Sequence, residues 1–296
     1  MSSQAKGSTV ARRRLRIALR SARERTHLTQ EEAAGLLEWS LSKLIRIEAG
    51  TVGISSTDLR ATLQLYNVTN PAEVSRLLDL ARVARQRDWL APYKDHFPSA
   101  FAAYLGLEMQ ASALYFYQPM IIPGILQTDA YAAAVIPATA PAAPPDERRE
   151  MSKRLRAERQ QKLLNTDGPM IDVVIDESVL HRVFGGSEVM HDQLQHLLVL
   201  GRSPHVTIRV LPFTSSVNTI GGPFVVLEFA DQSDIDTVYL ENAVSSSHVL
   251  DREDGVAMHR QVFDRLAAAA LSPEESLSYI EDFSDRYHEP HAHTPG

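Results

Sequence analysis

Thr29 and Ser40 each open a helix, and nothing else in the chain limits its fold so tightly. They lie in LTQEEAAGLLEWSLSKLIRIEAG, residues 28–50. Thr29 is followed three residues later by Glu32, the pattern of a capping box in which each side chain takes up the other's free amide. Leu28 and Ala33 hold the flanking apolar staple positions. The helix so begun runs to about Leu37. Ser40 caps the next one, with Trp39 and Leu44 as its staple pair. That helix spans Leu41 to Ala49 and stops at Gly50, a residue suited to the left-handed position after a helix. Leu44 and Ile47, three apart, share its buried face, while Ser42, Lys43 and Arg46 fall toward the other side. A single rod is excluded. Two short helices cross through a tight turn, which is a helix-turn-helix.

The second helix of such a motif can lie in the DNA major groove with its N-terminal end inward. Lys43 and Arg46 can donate to guanine O6 and N7, and Ser42 can pair with several bases. Leu41 can touch a thymine methyl. Gln30, in the first turn of the preceding helix, is placed for a phosphate oxygen. Ser40 and Thr51, at the two ends of the reading helix, complete the set. Arg12, Arg13 and Arg14 can add phosphate or minor-groove contacts from the N-terminal side. Charge agrees with this division. The chain carries −7 in all, yet residues 1–60 hold 11 Lys and Arg against 6 Asp and Glu, leaving −12 for the remainder. A basic end on an acidic body points to a polyanion partner for that end alone.

The same stretch resembles the helix-turn-helix of the lambda-repressor-like, or XRE, family. The marks are the Thr-Gln opening, the small Ala33 and Ala34, the Ser40 cap and the closing RIEAG. The resemblance implies five helices over roughly residues 11–70 and a structural ion pair between Arg23 and Glu48. One departure stands out. Glu38 occupies the turn position where the family usually has Gly, so a side chain is expected at positive φ.

Beyond the motif, Ser55–Asp58 and Asn70–Glu73 open two further helices, the second with proline in its first turn. The expected division is a disordered basic tail (1–10), the DNA-binding domain (11–70), a connecting helix (71–90), an α+β effector or dimerisation domain (91–285) and a disordered tail (286–296). The fold class is thus multidomain: an all-α five-helix domain followed by a larger α+β domain. Residues 98–135 read as helical, broken at Pro119, Pro123 and Gly124. Residues 137–147 read as a Pro/Ala loop, and ERREMSKRLRAERQQKLL as a helix with a solvated charged face. MIDVVIDE, HVTIRVLPF, GPFVVLEF and DTVYLEN alternate as strands, SSSHVLD is an optional edge strand, and VMHDQLQHLLVLG and two closing segments are helical.

Several of these segments in order, from LEMQASALYFYQPMIIPGILQTDAYA through VVIDESVLHRVFGG to TVYLEN, resemble the actinobacterial domain of unknown function that follows an XRE motif in WhiJ-like and antitoxin-like regulators. The resemblance implies transcriptional regulation, with a small acidic protein encoded nearby as a possible partner. It supplies no ligand or catalytic residue.

Candidate chemistry in this half has plain alternatives. Asp172, Asp176 and Glu177 cluster at a strand end and could serve acid–base or metal chemistry. Capping of the helix that follows is the plainer reading. The segment holding Tyr115, Tyr117, Met120, Ile122, Leu126 and Tyr131 could line a pocket or an interface, or be ordinary core. His288, His291 and His293 form a tract of the weakly metal-binding kind, read as a tail. No cysteine is present, which removes disulfides and thiolate metal sites. There is no 18-residue apolar run, so a cytoplasmic protein with no membrane partner is expected. The expectation is a non-enzymatic regulator without cofactor or metal, homodimeric on double-stranded DNA. An antitoxin-like binder of a small partner and a DNA-binding domain fused to an enzyme are the alternatives.

Overall fold

The computed structural model describes residues 8–85, 89–93, 96–139, 145–217, 222–231, 234–241 and 247–288. The chain divides into two units, Met1–Lys94 with Leu105–Gln110, and Asp95–Tyr104 with Ala111–Gly296.

The first unit is built from α1 (Ser8–Arg25), α2 (Gln30–Leu36), α3 (Leu41–Glu48), α4 (Ser56–Leu65) and α5 (Pro71–Ala84). Its core joins Leu15, Leu19, Ala33, Leu44, Leu59 and Leu77. The caps form as the sequence dictates. Thr29 Oγ1 accepts from the Glu32 amide at 3.2 Å, and Glu32 Oε2 accepts from the Thr29 amide at 2.8 Å. Ser40 Oγ accepts from the Lys43 amide at 3.2 Å.

Three of these helices end alike. The residue after the cap is left-handed at Glu38 (φ 55°), Gly50 (φ 73°) and Asn67 (φ 56°). In each, the next amide reaches back to the last turn: Trp39 to the Ala34 carbonyl (2.9 Å), Thr51 to Arg46 (3.0 Å) and Val68 to Leu63 (2.9 Å). This is the Schellman arrangement, and it satisfies carbonyls that a helix end leaves open. Glu38 therefore takes the positive φ expected of it.

Two boundaries differ from expectation. Helix α1 begins at Ser8, inside the segment assigned to a tail. Helix α5 is no mere connector: Leu77 and Ala81 belong to the first core, and α5 packs along α1. Arg12 Nε closes its end by donating to the Ala84 carbonyl at 2.9 Å.

The second unit takes in the start of α6 (Ser99–Glu108), which leads to β1 (Ala113–Gln118), α7 (Asp129–Thr139), α8 (Asp146–Leu163), β2 (Met170–Asp176), α9 (Ser178–His181) and α10 (Ser187–Gly201). These are followed by β3 (Val206–Leu211), β4 (Phe224–Glu228), β5 (Thr237–Leu240), β6 (His248–Leu250), α11 (Glu253–Ala269) and α12 (Pro273–His288). The strands form one mixed sheet in the order β3-β2-β1-β4-β5-β6. β1, β2 and β3 run parallel, while β4, β5 and β6 add on antiparallel. Helix α11 covers the face carrying Tyr117, Val174, Leu211, Phe224 and Val238. The opposite side chains Phe116, Val173, Ile208 and Val225 are buried too. The outer edge of β3 is covered: the Leu271 amide donates to the Val210 carbonyl (2.9 Å), and Ser276 Oγ accepts from the Val210 amide (3.0 Å).

The helical expectation for residues 98–135 fails at ALYFYQ, which is β1 and lies inside the sheet. Both its faces are covered, so the period-two alternation that marks a half-exposed strand is missing. The loop expected at 137–147 is shorter at both ends, because α7 runs through Pro137 to Thr139 and α8 starts at Asp146. Residues 140–144 lie outside the described residues. The charged face of α8 is not solvated throughout. Arg159 is buried about 6 Å from the rings of Phe101 and Tyr104. Burial, with Arg159 nearby, lowers the Arg156 pKa to about 10.

Glu38→Gly removes a left-handed side chain at the α2–α3 turn. It is expected to raise stability by about 0.5–1 kcal/mol, read as a higher urea midpoint. In the second unit Glu177 is buried and accepts from the Phe213 amide (2.7 Å), Tyr279 Oη (2.8 Å) and His181 Nε2 (3.2 Å). Burial pushes its pKa up, but these donors outweigh burial and hold it below the usual carboxylate value. Its contribution is therefore present above the unfolded pKa and is lost as pH falls through the folded one. Melting temperature against pH should show a steep acid limb below about pH 4, flattened in Glu177→Gln.

Candidate nucleic-acid interface

Helix α3 is fixed by its inner face. Leu44 and Ile47 are buried in the first core, and Glu48 beside them is buried as well. Glu48 Oε1 accepts from Arg23 Nε at 2.8 Å and Oε2 from Arg23 Nη2 at 3.1 Å, a two-pronged pair between α1 and α3. Gln30 Nε2 donates to the same Oε2 at 2.8 Å. Arg23 Nη1 also donates to the Leu28 carbonyl at 2.7 Å, just before α2. One buried carboxylate thus ties three helices together. Gln30, expected at a phosphate, spends its amide on this network. The family resemblance implied Arg23 and Glu48 as a pair but not Gln30 as its third member, whose contact joins α2 to α3.

The outer face of α3 presents Leu41 (40% exposed) and Ile45 (42%), with Ser42 and Arg46 also exposed. Arg46 Nε lies 3.2 Å from the Ser42 carbonyl of its own helix. Ser40 Oγ and Ser42 Oγ are 3.3 Å apart. Thr51 Oγ1 donates to the Arg46 carbonyl at 3.1 Å and so closes the far end of the helix. Lys43 is held differently from its neighbours. Its Nζ sits 3.2 Å from Asp58 of α4 and 3.9 Å above the Trp39 ring. A base contact by Lys43 would have to break both.

Ile45 did not figure among the sequence candidates. Its signal was available, since it falls one residue past Leu44 and so off the Leu44–Ile47 face. With Ala49, Gln30 and Arg20 it lines an open groove beside α3. Arg20 is mostly exposed and pairs with Glu24 at 2.9 Å. Of the basic run at the start, Arg12, Arg13 and Arg14 all lie in α1. Arg13 is only 8% exposed, and Arg12 serves the end of α5. These positions suit helix packing more than a free arm.

The candidates of the second unit do not converge on a reactive site. Asp172 pairs with Arg209 on the neighbouring strand. Asp176 accepts from the Ser178 amide at 2.9 Å and so caps α9. Glu177 is taken up by its three donors. Tyr117, Ile122, Leu126 and Tyr131 are fully buried, Tyr115 is half-buried beneath Arg260 (3.7 Å), and Met120 is exposed. The loop between β1 and α7 is pinned by three glutamines. Gln127 donates to Ile122 O (2.7 Å), Gln160 to Gln127 O (2.8 Å), and Gln193 to Leu126 O (2.8 Å) while accepting from the Thr128 amide (2.6 Å). Apart from Met120 and the half-buried Tyr115, these residues are core, held by polar stitching. Among the described residues no three His, Asp or Glu side chains gather as a metal site, and no helix is long and apolar enough to cross a membrane.

Comparison with known families agrees with this division. Residues 14–77 match a helix-turn-helix domain model, which marks a DNA-binding regulator. Residues 101–282 match the model of a domain of unknown function, DUF5753, and the chain belongs to that family. No curated protein and no solved structure matches the chain.

Glu48→Ala would leave the Arg23 guanidinium buried without its carboxylate and free the Gln30 amide. The expected loss is about 3–5 kcal/mol of stability in the first unit, read by urea unfolding of the full chain followed through tryptophan fluorescence, since Trp39 and Trp89 both belong to that unit.

Proposed function

We propose that the protein is a sequence-specific DNA-binding transcriptional regulator in which α3 enters the major groove. The observation that carries this reading is the outer face of α3. A short helix anchored through Leu44, Ile47 and Glu48 leaves Leu41, Ser42, Ile45 and Arg46 turned outward at its open side. Arg46 can reach guanine, Ser42 a range of base edges, and Leu41 and Ile45 thymine methyls. Ser40 and Thr51, at the ends of α3, can meet the DNA backbone, whereas the Gln30 amide is held by Glu48. Lys43 contributes positive potential from its place over Trp39. Its pairing with Asp58 argues for a supporting role rather than base readout. Arg12, Arg13 and Arg14 add to the same potential from within α1.

The protein acts as a homodimer on a two-fold operator in this reading, with half-sites about 34 Å apart. Such a target places it in the cytoplasm. Residues 61–296, which contain the whole second unit, carry −12, and this acidic character suits that unit to dimerisation or to holding an effector rather than to DNA.

The test is fluorescence anisotropy of the full chain on its own upstream DNA and on a scrambled duplex, at two salt concentrations. A preference for the native duplex that survives added salt is expected. Arg46→Ala should cost about 1–3 kcal/mol on the native duplex and relax base preference at one position. Equal loss on both duplexes would reduce Arg46 to a phosphate contact, and no loss on either would remove α3 as the reading helix.

A further inference from the structure

Lys43 stands in the first turn of α3, the end that enters the groove in the proposed role, yet its ammonium is already engaged. Nζ lies 3.2 Å from Asp58 Oδ2 and 3.9 Å above the Trp39 ring. Trp39 comes from the α2–α3 turn and Asp58 from the first turn of α4, so the lysine is held from two separate segments. The side chains of Lys43 and Asp58 remain 36% and 33% exposed. The pair is therefore within reach of a DNA backbone and not sealed in the core. Asp58 needs no lysine for local reasons. As the third residue of α4 it already favours that helix end, and its amide is satisfied by Ser55 Oγ at 3.0 Å. An exposed ion pair by itself returns little for the freedom a lysine gives up. Arg46, one turn on, shows the contrast. It donates to the Ser42 carbonyl of its own helix, an uncharged partner that it can leave without stranding an anion.

Phosphate contacts bind every sequence alike and supply nearly all of non-specific affinity, whereas base contacts supply discrimination. A lysine at the leading end of α3 is the cation best placed to add an indiscriminate phosphate contact. To do so, Lys43 must leave the Asp58 carboxylate and the Trp39 ring, and Asp58 is then left as an unpaired anion beside the phosphates. We propose that Asp58 is a specificity-determining residue: with Trp39 it withholds Lys43 from the DNA backbone and so lowers affinity for unrelated sequences. This inference rests on the DNA-binding role of α3 proposed above. On the operator, base contacts by Arg46 and Ser42 fix the register of α3, and the Lys43–Asp58 pair stays closed. On unrelated DNA no base contact fixes the register, and the chain settles wherever its available cations meet the most phosphates. Removing one cation from that set weakens the unrelated complex and leaves the operator complex nearly unchanged.

The experiment measures binding of the full chain to the native and scrambled duplexes between about 50 and 200 mM salt, for Asp58→Asn, Lys43→Gln and the double variant. Urea midpoints confirm that each is folded. Asp58→Asn should bind the scrambled duplex more tightly than the wild type at the lower salt. Across that salt range it should lose an additional factor of about 3.5 in affinity, the share of one neutralised phosphate. Its preference for the native duplex should fall. Lys43→Gln should keep the wild-type salt dependence on the scrambled duplex, and the double variant should match Lys43→Gln. An unchanged salt dependence or an unchanged native preference in Asp58→Asn overturns the inference. So does a steeper dependence that persists in the double variant, which would make Asp58 a plain repulsive charge. A flatter dependence in Lys43→Gln overturns it too, since Lys43 would then already be on the backbone. The scrambled duplex reports phosphate contacts without base readout, so Arg46→Ala decides the role of α3 and Asp58→Asn decides this inference separately. Absence of binding to any duplex would overturn both.

Discussion

The buried carboxylate of Glu48 is the point on which the first unit turns. Helices of seven and eight residues are too short to persist by themselves. They need a tertiary anchor, and two apolar side chains on α3 are a small one. Glu48 adds a charged anchor that reaches α1 through Arg23 and α2 through Gln30. A buried carboxylate is tolerable only when its oxygens are taken up, and here both are. The consequence is directional. Because the inner side of α3 carries both the apolar and the ionic attachment, its outer side is released from structural duty. Leu41 and Ile45 can then remain exposed without loss of the fold.

The second unit applies the same logic with neutral groups. The loop after β1 crosses the interior, where unsatisfied backbone would be costly. Gln127, Gln160 and Gln193 supply the missing donors and acceptors, and the loop becomes part of the core. Glu177 does the equivalent work between the end of β3, α9 and α12. Polar residues in the interior thus mark joints between elements here. This explains why the carboxylates near the end of β2 do not act together: each is committed to a different joint.

What could be read from the sequence follows from how local each signal is. The caps at Thr29 and Ser40, the stop at Gly50 and the strain at Glu38 are set by neighbours within a few residues, and all were legible. The strands β2, β3, β4 and β5 were legible from alternating or compact apolar runs. The strand β1 was not, because burial on both faces erases alternation and helices flank it closely. The α1–α5 packing was not legible either, since nothing local to Pro71–Ala84 says which surface its apolar side will meet. The outer face of α3 lies between these cases. Ser42 and Arg46 follow from helical periodicity, whereas the diversion of Lys43 to Asp58 and of Gln30 to Glu48 depends on partners fifteen and eighteen residues away.

Those two diversions shift the chemistry expected of α3. With Lys43 and Gln30 occupied, one cation, one hydroxyl and two aliphatic side chains face outward. Aliphatic contacts distinguish thymine by its methyl group, and a single arginine can fix one guanine. A surface of this composition gains little from phosphate charge and much from shape and methyl contacts. In the proposed role its base preference should therefore weaken with salt less steeply than its total affinity, because the counterion term belongs to cations that lie elsewhere on the unit.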